Sequence, residues 1–547
     1  MKEITNVMLG YAKKNPWFLL SNVSFSFLIP IQDVVLPHLY GKVISAIEKN
    51  KRVIYPLTIV IIILSILQIG YVASDWHDTK LFPDLQAYIR KQMLRKMFEN
   101  YETSFQDLYL GDIMSKFIKI PSHLTQCFER IKNYIAPYIV AYIIAVVYFM
   151  YNDVVLGVCL AFLITIYSYL VIGSPFFCKN QAVAKDTAQN ILCEEIDDTL
   201  RNLISVYGSD QKEDELVRID GYEKGYIKAY ENTMHCALRT RTFATPIIIA
   251  FLSVFMWRCL RQLKANKMTA SKFVPLFIIL LYILNSMLAL TDQVRDMIFE
   301  VGIISNFEDI LSYKKTYTPT IVNPPPFTAP SGLVMYDVTF GYSKLMSPIL
   351  NHFNLHISPG EKVAIVGEIG SGKSTVLKLL LKLHVPTQGE IYLNGIPYLN
   401  LPVRQIRKRI GYVPQQPILF NRTIIENIRN GNKKVTSVDI ERIIAELGIQ
   451  NEFQYLEHGL NTKIGKNGSK ISGGQRQLVW CLRVLLNNPE ILILDEPTAS
   501  LDEKTKNLMK SMFDRFMHNR TVIMVTHDPS LMQYATRMIV MQKGQIV

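Results

Sequence analysis

Apolar residues fill the first part of the chain in blocks too long for an ordinary soluble core. Further on they give way to short runs broken by glycine turns. A helix that crosses a bilayer needs about 20 mainly apolar residues. Six segments meet or approach that length: Trp17–Tyr40, Val53–Ser74, Tyr134–Tyr151, Val154–Gly173, Phe243–Trp257 and Phe273–Leu290. The fifth is short, and the first contains Asp33 and two prolines, Pro30 and Pro37. Only Asn152-Asp153 separates the third from the fourth, which predicts a tight helical hairpin. Polar stretches such as Leu85–Tyr101 and Ile191–Tyr207 still carry apolar residues at helical spacing, so membrane helices should run on into water.

The pattern changes near residue 320. Short β-branched runs, glycine turns and charged helices follow, the pattern of an α/β domain. The junction reads Thr318-Pro319-Thr320-Ile321-Val322-Asn323-Pro324-Pro325-Pro326, then Ala329-Pro330-Ser331-Gly332. Proline at that density cannot continue a helix. The expected organisation is an all-α six-helix transmembrane domain over residues 1–318, a Pro-rich linker over 319–332 and an α/β domain over 333–547.

Composition agrees. The 547 residues are 49% apolar and 19% charged, against about 25% charged in a soluble protein. That excludes a disordered or collagen-like chain. The net charge of +13 could suit nucleic acid or a membrane surface; six apolar spans favour the bilayer, and no nucleic-acid partner is expected. The seven cysteines are odd in number and form no CxxC pair, so they read as buried or free thiols, neither a disulfide framework nor a zinc site. Met1-Lys2-Glu3-Ile4 does not open a secretory signal.

Six spans put both termini on one side. Segments on the side of the termini hold 21 basic residues and opposite segments nine, so the termini and the second domain should be cytosolic. Arg258, Arg261, Lys264, Lys267 and Lys272 lie on the opposite side with no acid near them in sequence, and are expected to snorkel at a helix end, the alternative being a role with an anionic substrate. Asp33, Gln68 and Asn285 are polar residues within spans; they could line a cavity, but hydrogen bonding between helices is the commoner use.

The chemistry lies in the second domain. Lys362-Val363-Ala364-Ile365-Val366 reads as a buried strand, and Val376-Leu377-Lys378-Leu379-Leu380 as a helix. Between them stands Gly367-Glu368-Ile369-Gly370-Ser371-Gly372-Lys373-Ser374-Thr375, a GxxxxGK[ST] loop in the context that motif requires. Glycines let backbone N–H groups turn inward around an anion, and the helix N-terminus adds partial positive charge. Lys373 is expected to reach the β- and γ-phosphates of ATP, and Ser374 to offer its hydroxyl to Mg2+. A later strand, Ile491-Leu492-Ile493-Leu494, ends in Asp495-Glu496. Carboxylates there sit where α/β sheets bind ligands. Asp495 would hold the magnesium through water, and Glu496 would polarise the attacking water.

Between the cradle and the acids lies Ile471-Ser472-Gly473-Gly474-Gln475. It resembles the LSGGQ signature of ABC ATPases, with Ile for Leu. The resemblance covers about residues 333–547 closely. Tyr342 matches the aromatic that stacks on adenine, and Gln415 in Tyr412-Val413-Pro414-Gln415 the Q-loop glutamine that also meets magnesium. Ser500-Leu501-Asp502 matches the D-loop, and His527 the switch histidine. The first half resembles the exporter-type membrane domain by layout, and Phe105 with Gly111-Asp112-Ile113 is similar to its first inner loop.

The resemblance implies an ABC exporter half-transporter. Ser472 and Gly474 N–H of one copy would face the P-loop of another across a shared ATP, so the partner is a second half-transporter, most simply a second copy. Lipid, peptide, drug and glycan substrates all fit, and the substrate is unknown. Segments Thr103–Tyr109 and Val206–Glu213 are the coupling candidates by family layout. A rival reading is a non-transporting ABC membrane protein acting as a channel, regulator or assembly scaffold; intact Lys373, Glu496 and His527 speak against it. Two departures stand out. Lys466 replaces the family's usual acid and could pair with Asp210, Glu213 or Asp214, or simply lie exposed; Trp480 replaces a small residue. The chain also stops at Val547, earlier than most family members.

Overall fold

A computed structural model describes residues 2–16, 20, 24–103, 110–265, 268–312, 332–342, 347–432, 434–499 and 501–547. The chain divides into two compact units, residues 1–100 with 108–314, and residues 101–107 with 315–547. The proline-rich stretch 319–331 lies outside the described residues, as do 104–109 of the first coupling candidate.

The first unit is helical. Among the described residues, five helices are long and apolar enough to cross a membrane: Ile54–Asn100, Phe117–Asn152, Val154–Phe177, Lys212–Lys264 and Ala270–Ser305. The helix Lys212–Lys264 has 53 residues, or roughly 80 Å at 1.5 Å per residue. A hydrocarbon core is about 30 Å thick, so much of this helix must lie outside it. The helical extension expected at Leu85 runs to Asn100; the one expected at Ile191 breaks at Asn202, and a short helix Leu203–Gly208 follows.

The first expected span, 17–40, is not one of the five. Residues 17–19 and 21–23 lie outside the described residues. The remainder is a 3₁₀ turn Phe25–Phe27, a helical turn Leu28–Pro30, a π-turn Ile31–Val35 and a helix Leu36–Glu48. Pro30 and Pro37, which lack an N–H, flank the π-turn.

The hairpin at Asn152-Asp153 forms as expected. Asp153 caps the helix Val154–Phe177 by accepting from Leu156 N–H at 3.1 Å. A Cβ at Gly157 would meet the Met150 backbone nitrogen at 2.6 Å, so only glycine lets these helices approach so closely. Asp153 also corrects the reading of the basic cluster. Its carboxylate accepts from Arg258 Nε at 3.1 Å and from the Gln262 amide. Arg258 therefore has an acid that is distant in sequence, while Arg261 lies over the Trp257 ring.

The cysteine reading is corrected too. Cys178 and Cys236, 58 residues apart, form a disulfide with a Cα–Cα distance of 5.9 Å. Helix packing brings them together, so their sequence spacing gave no sign of it. The other five cysteines are free. Among the described residues, no cluster of three His, Cys, Asp or Glu side chains could hold a metal.

The second unit has two sheets. One is antiparallel, in the order β2-β1-β4-β5 (Leu350–Ile357, Leu333–Phe340, Gln388–Leu393, Ile396–Pro397). The other runs β10-β9-β3-β8-β7-β6 (Gln545–Ile546, Arg537–Gln542, Lys362–Gly367, Thr521–Val525, Ile491–Asp495, Ile410–Val413). Strands β9, β3, β8, β7 and β6 are mutually parallel. Val363, Ile365, Leu492, Ile493, Val522 and Ile523 are fully buried, each such side chain contributing about 1.5–3 kcal/mol. Between β6 and β7 the chain forms a helical subdomain with helices Ile424–Ile428, Ser437–Glu446 and Gly473–Leu486. Each opens with a capping box, at Thr423, Thr436 and Ser472 respectively.

Candidate nucleotide site

Strand order explains why residues far apart in sequence meet. Strands β3, β8, β7 and β6 lie side by side with their C-terminal ends at one edge. The loop after β3 is the GxxxxGK[ST] cradle, and after β8 comes His527. Strand β7 ends at Asp495-Glu496, and β6 leads into Gln415. Four neighbouring strand ends thus deliver four expected elements to one place, the usual ligand edge of such sheets.

The cradle is shaped by its glycines. A Cβ at Gly367 would meet the Met541 carbonyl oxygen at 2.2 Å, and Gly372 has φ +100. Gly370, Glu368 and Ile369 form the tip, where Ile369 is fully exposed. Lys373 opens the helix Lys373–Leu380 and folds back, donating to Gly367 O at 2.7 Å and Glu368 O at 2.8 Å. Its ammonium is thus held over the loop mouth. The Ser371 hydroxyl is buried with no protein partner; such a group fits a loop built to meet an anion. Ser374 is exposed and Thr375 buried. Tyr342 is half exposed, its ring edge-on to Phe340 and His384 at 5.2 Å from each, and Lys378 donates to its hydroxyl at 3.3 Å.

The two acids have different surroundings. Burial pushes the Asp495 carboxyl above its ordinary range; Tyr412 donation and the Lys378 and Lys373 charges oppose that, while Glu496 adds to it. The Tyr412 hydroxyl donates to Asp495 Oδ2 at 3.1 Å. Glu496 accepts from Gln415 Nε2 at 2.7 Å and sits at φ 45, an uncommon backbone conformation for a non-glycine residue. His527 is exposed just beyond β8. Next to it, Asp528 accepts from Thr498 Oγ1 at 3.1 Å. For magnesium the donors available are one carboxylate, one hydroxyl and one amide oxygen. These are hard oxygen ligands, too few alone but suited to an ion that shares phosphate oxygens.

Ser472, Gly473, Gly474, Gln475 and Asp502 are placed differently. Ser472 Oγ accepts from Gln475 N–H at 3.1 Å, and Gln475 Oε1 accepts from Ser472 N–H at 2.9 Å. Ser472 and Gly473 are exposed at the head of a 14-residue helix. Gly474 packs so tightly that a Cβ would meet Thr505 at 2.9 Å. Asp502 caps the helix Glu503–Phe516 through Thr505. Among the described residues, the hydrogen bonds of these side chains run to their own helix ends and to Glu452. Lys466 borders a 610 Å³ groove with Gln415, Arg476, Gln477, Pro497 and Leu501. In the sequence Tyr412 stands without a role and Trp480 as a bulky residue in place of a small one; what links them is a contact between residues 68 positions apart, Trp480 Nε1 donating to Tyr412 O at 2.8 Å.

This fold and site define a P-loop ATPase domain of the ABC type, preceded by a helical domain with several apolar helices. Residues 350–499 match the family described as ABC transporter. It is 38% identical over 219 residues to an ATP-dependent lipid A-core flippase of Chromobacterium violaceum, covering 40% of this chain and 38% of that one. The match thus spans well under half of that relative's length. Over 510 residues it is 28% identical to an uncharacterized ABC transporter ATP-binding protein of Haemophilus influenzae, covering 87% and 78%. The structure of a bacterial Atm1-family ABC exporter with ATP bound superposes with a TM-score of 0.83 at 20% identity, over 97% of this chain and 94% of that one.

Proposed function

We propose that two copies of this chain form an exporter or flippase that moves a hydrophobic or amphipathic substrate across a lipid bilayer by alternating access, driven by ATP hydrolysis. One observation carries the paired arrangement. Ser472 and Gly473 stand exposed at a helix N-terminus, where backbone N–H groups favour an anion, while their own chain gives them only a cap. A second copy would bring an ATP γ-phosphate to that helix end. The relative named for lipid A-core flipping supports an amphipathic cargo. On this reading residues 1–318 are the membrane domain with six spans, 319–332 the linker and 333–547 the ATPase domain. Both termini and the ATPase domain are cytosolic, as the basic-residue balance favours.

Each residue then has a task. Tyr342 stacks on the adenine. The backbone N–H groups of 367–375 surround the phosphates, and Lys373 leaves the loop carbonyls for the β- and γ-phosphate oxygens. Glu496 takes the proton of the attacking water, which Gln415 holds in line, as the bond from the γ-phosphorus to its bridging oxygen breaks. His527 donates to a γ-phosphate oxygen as charge gathers there. From the other copy, Ser472 Oγ and Gly474 N–H complete the enclosure, with Asp502 alongside. Magnesium, held by Ser374, Gln415 and Asp495, would neutralise charge on the phosphate oxygens. Cleavage removes the group that both copies grip, so the pair separates and the membrane helices reset.

Complementation tests the shared site. Lys373→Ala spoils one chain's own cradle, and Ser472→Arg spoils only what it offers its partner. Co-expressed under two affinity tags and purified in lipid nanodiscs, the mixed pair holds one intact composite site. ATP hydrolysis should return above that of either variant alone. A mixed pair as inactive as its parents would sink the shared site.

A further inference from the structure

One short segment touches both acids and is gripped by the helix that begins at Ser472. Tyr412 lies near the end of β6, opposite Ile493 of β7. Its hydroxyl donates to Asp495 Oδ2 at 3.1 Å, and three residues on Gln415 Nε2 donates to Glu496 at 2.7 Å. The carbonyls of the segment are held by the helix Gly473–Leu486. Tyr412 O accepts from Trp480 Nε1 at 2.8 Å, and Pro414 O accepts from Gln477 Nε2 at 3.0 Å. The Trp480 ring lies 4.6 Å from the Arg483 guanidinium. Arg483 is buried and donates to Asn427 O at 2.7 Å and Asn427 Oδ1 at 2.9 Å.

We propose that Tyr412 is a positioning residue for Asp495, and that Trp480 holds Tyr412 in place. An aspartate at a strand end can turn about its last bond and present either oxygen. A phenol fixed on the neighbouring strand commits Oδ2 and leaves Oδ1 to face the metal's hydration shell. It also offsets the repulsion from Glu496, which stands next along the chain. An aliphatic residue at 412 would remove this donor. Trp480 is therefore more than bulk: its N–H fixes the backbone from which the phenol reaches. The inference rests on reading Asp495 as the acid that faces magnesium, so the test must separate the two.

Mn2+ can replace Mg2+ as a paramagnetic probe. The full-length protein in nanodiscs is titrated with Mn2+ and the ATP analogue carrying an imido β–γ bridge, and bound Mn2+ is read by electron paramagnetic resonance. Tyr412→Phe keeps the ring and removes one hydrogen bond to a charged group. It should weaken Mn2+ uptake roughly five- to tenfold, while analogue binding in EDTA stays at the parental value. Trp480→Phe should shift uptake in the same direction by a smaller factor. Mn2+ uptake by Tyr412→Phe equal to the parent would overturn the role of Tyr412, and unchanged uptake by Trp480→Phe would overturn that of Trp480. Parental uptake by Asp495→Asn would instead overturn the reading of Asp495 itself.

Discussion

Replacing Glu496 with glutamine should separate catalysis from binding at this site if Glu496 is the proposed base, and the geometry sets how cleanly. The new side chain has the same length, and the φ of 45 at this position suits it no worse than glutamate. Its amide oxygen can still accept from Gln415 Nε2, which now lies 2.7 Å from a carboxylate oxygen. The change there is from a charged to a neutral acceptor, worth about 1 kcal/mol. The cradle contacts of Lys373 are with Gly367 and Glu368 and do not involve position 496. What disappears is the proton acceptor. Loss of a general base costs about 10²–10⁴ in rate, or roughly 3–5 kcal/mol of barrier. ATP affinity should hold, since a negative charge beside the γ-phosphate has also gone. The assay pairs phosphate release under saturating ATP with retention of labelled ATP after rapid gel filtration. Near-zero turnover with about one nucleotide retained per chain is the expected pair of results. Hydrolysis at the parental rate would show that another group takes the proton and would refute the assignment.

Lys373→Ala should act on binding instead. Its ammonium makes two charge-assisted hydrogen bonds of 2.7 and 2.8 Å to the loop that ATP would replace, so ATP affinity should fall by roughly ten- to a hundredfold in a fluorescent-nucleotide titration. The disulfide is checked by counting thiols. Of the seven cysteines five are free, so the denatured, unreduced chain should take five maleimide labels, and Cys178→Ser should take six because Cys236 is released. Seven labels on the unreduced parent would remove the bond.

Legibility followed the range of the contacts. The cradle was legible because its residues are consecutive and its geometry follows from Gly367, Gly370 and Gly372 on a strand-to-helix turn. The acids were legible as a strand end, and the Asn152-Asp153 hairpin as an interruption between two apolar runs. The features that escaped join residues far apart in sequence. Asp153 accepts from Arg258 across 105 positions, Cys178 reaches Cys236 across 58, and Tyr412 reaches Asp495 across 83. Periodicity identifies a helix or a strand and the face it buries, but it does not say which element lies alongside. The first expected span lies partly outside the described residues; within them a π-turn, Ile31–Val35, stands between Pro30 and Pro37, a local change of hydrogen bonding that hydrophobicity does not register.

The same distinction explains why the signature segment was readable by resemblance yet not by local chemistry. Ser472 and Gln475 satisfy each other in a reciprocal capping box, an arrangement that any well-made helix N-terminus uses. Taken alone it is a stability feature of about 1 kcal/mol. Its exposure is what a cap does not need, because a cap performs as well under a covering loop. The helix it opens then runs from Ser472 to Trp480 and Gln477, whose donors hold the backbone of Tyr412 and Pro414. A group bound at the head of this helix would therefore press on the same segment that contacts Asp495 and Glu496. If a second copy supplies that group, the chain links the site it serves to the site it owns through a single helix. That linkage is the physical reason to expect the two ATP sites of a pair to influence one another.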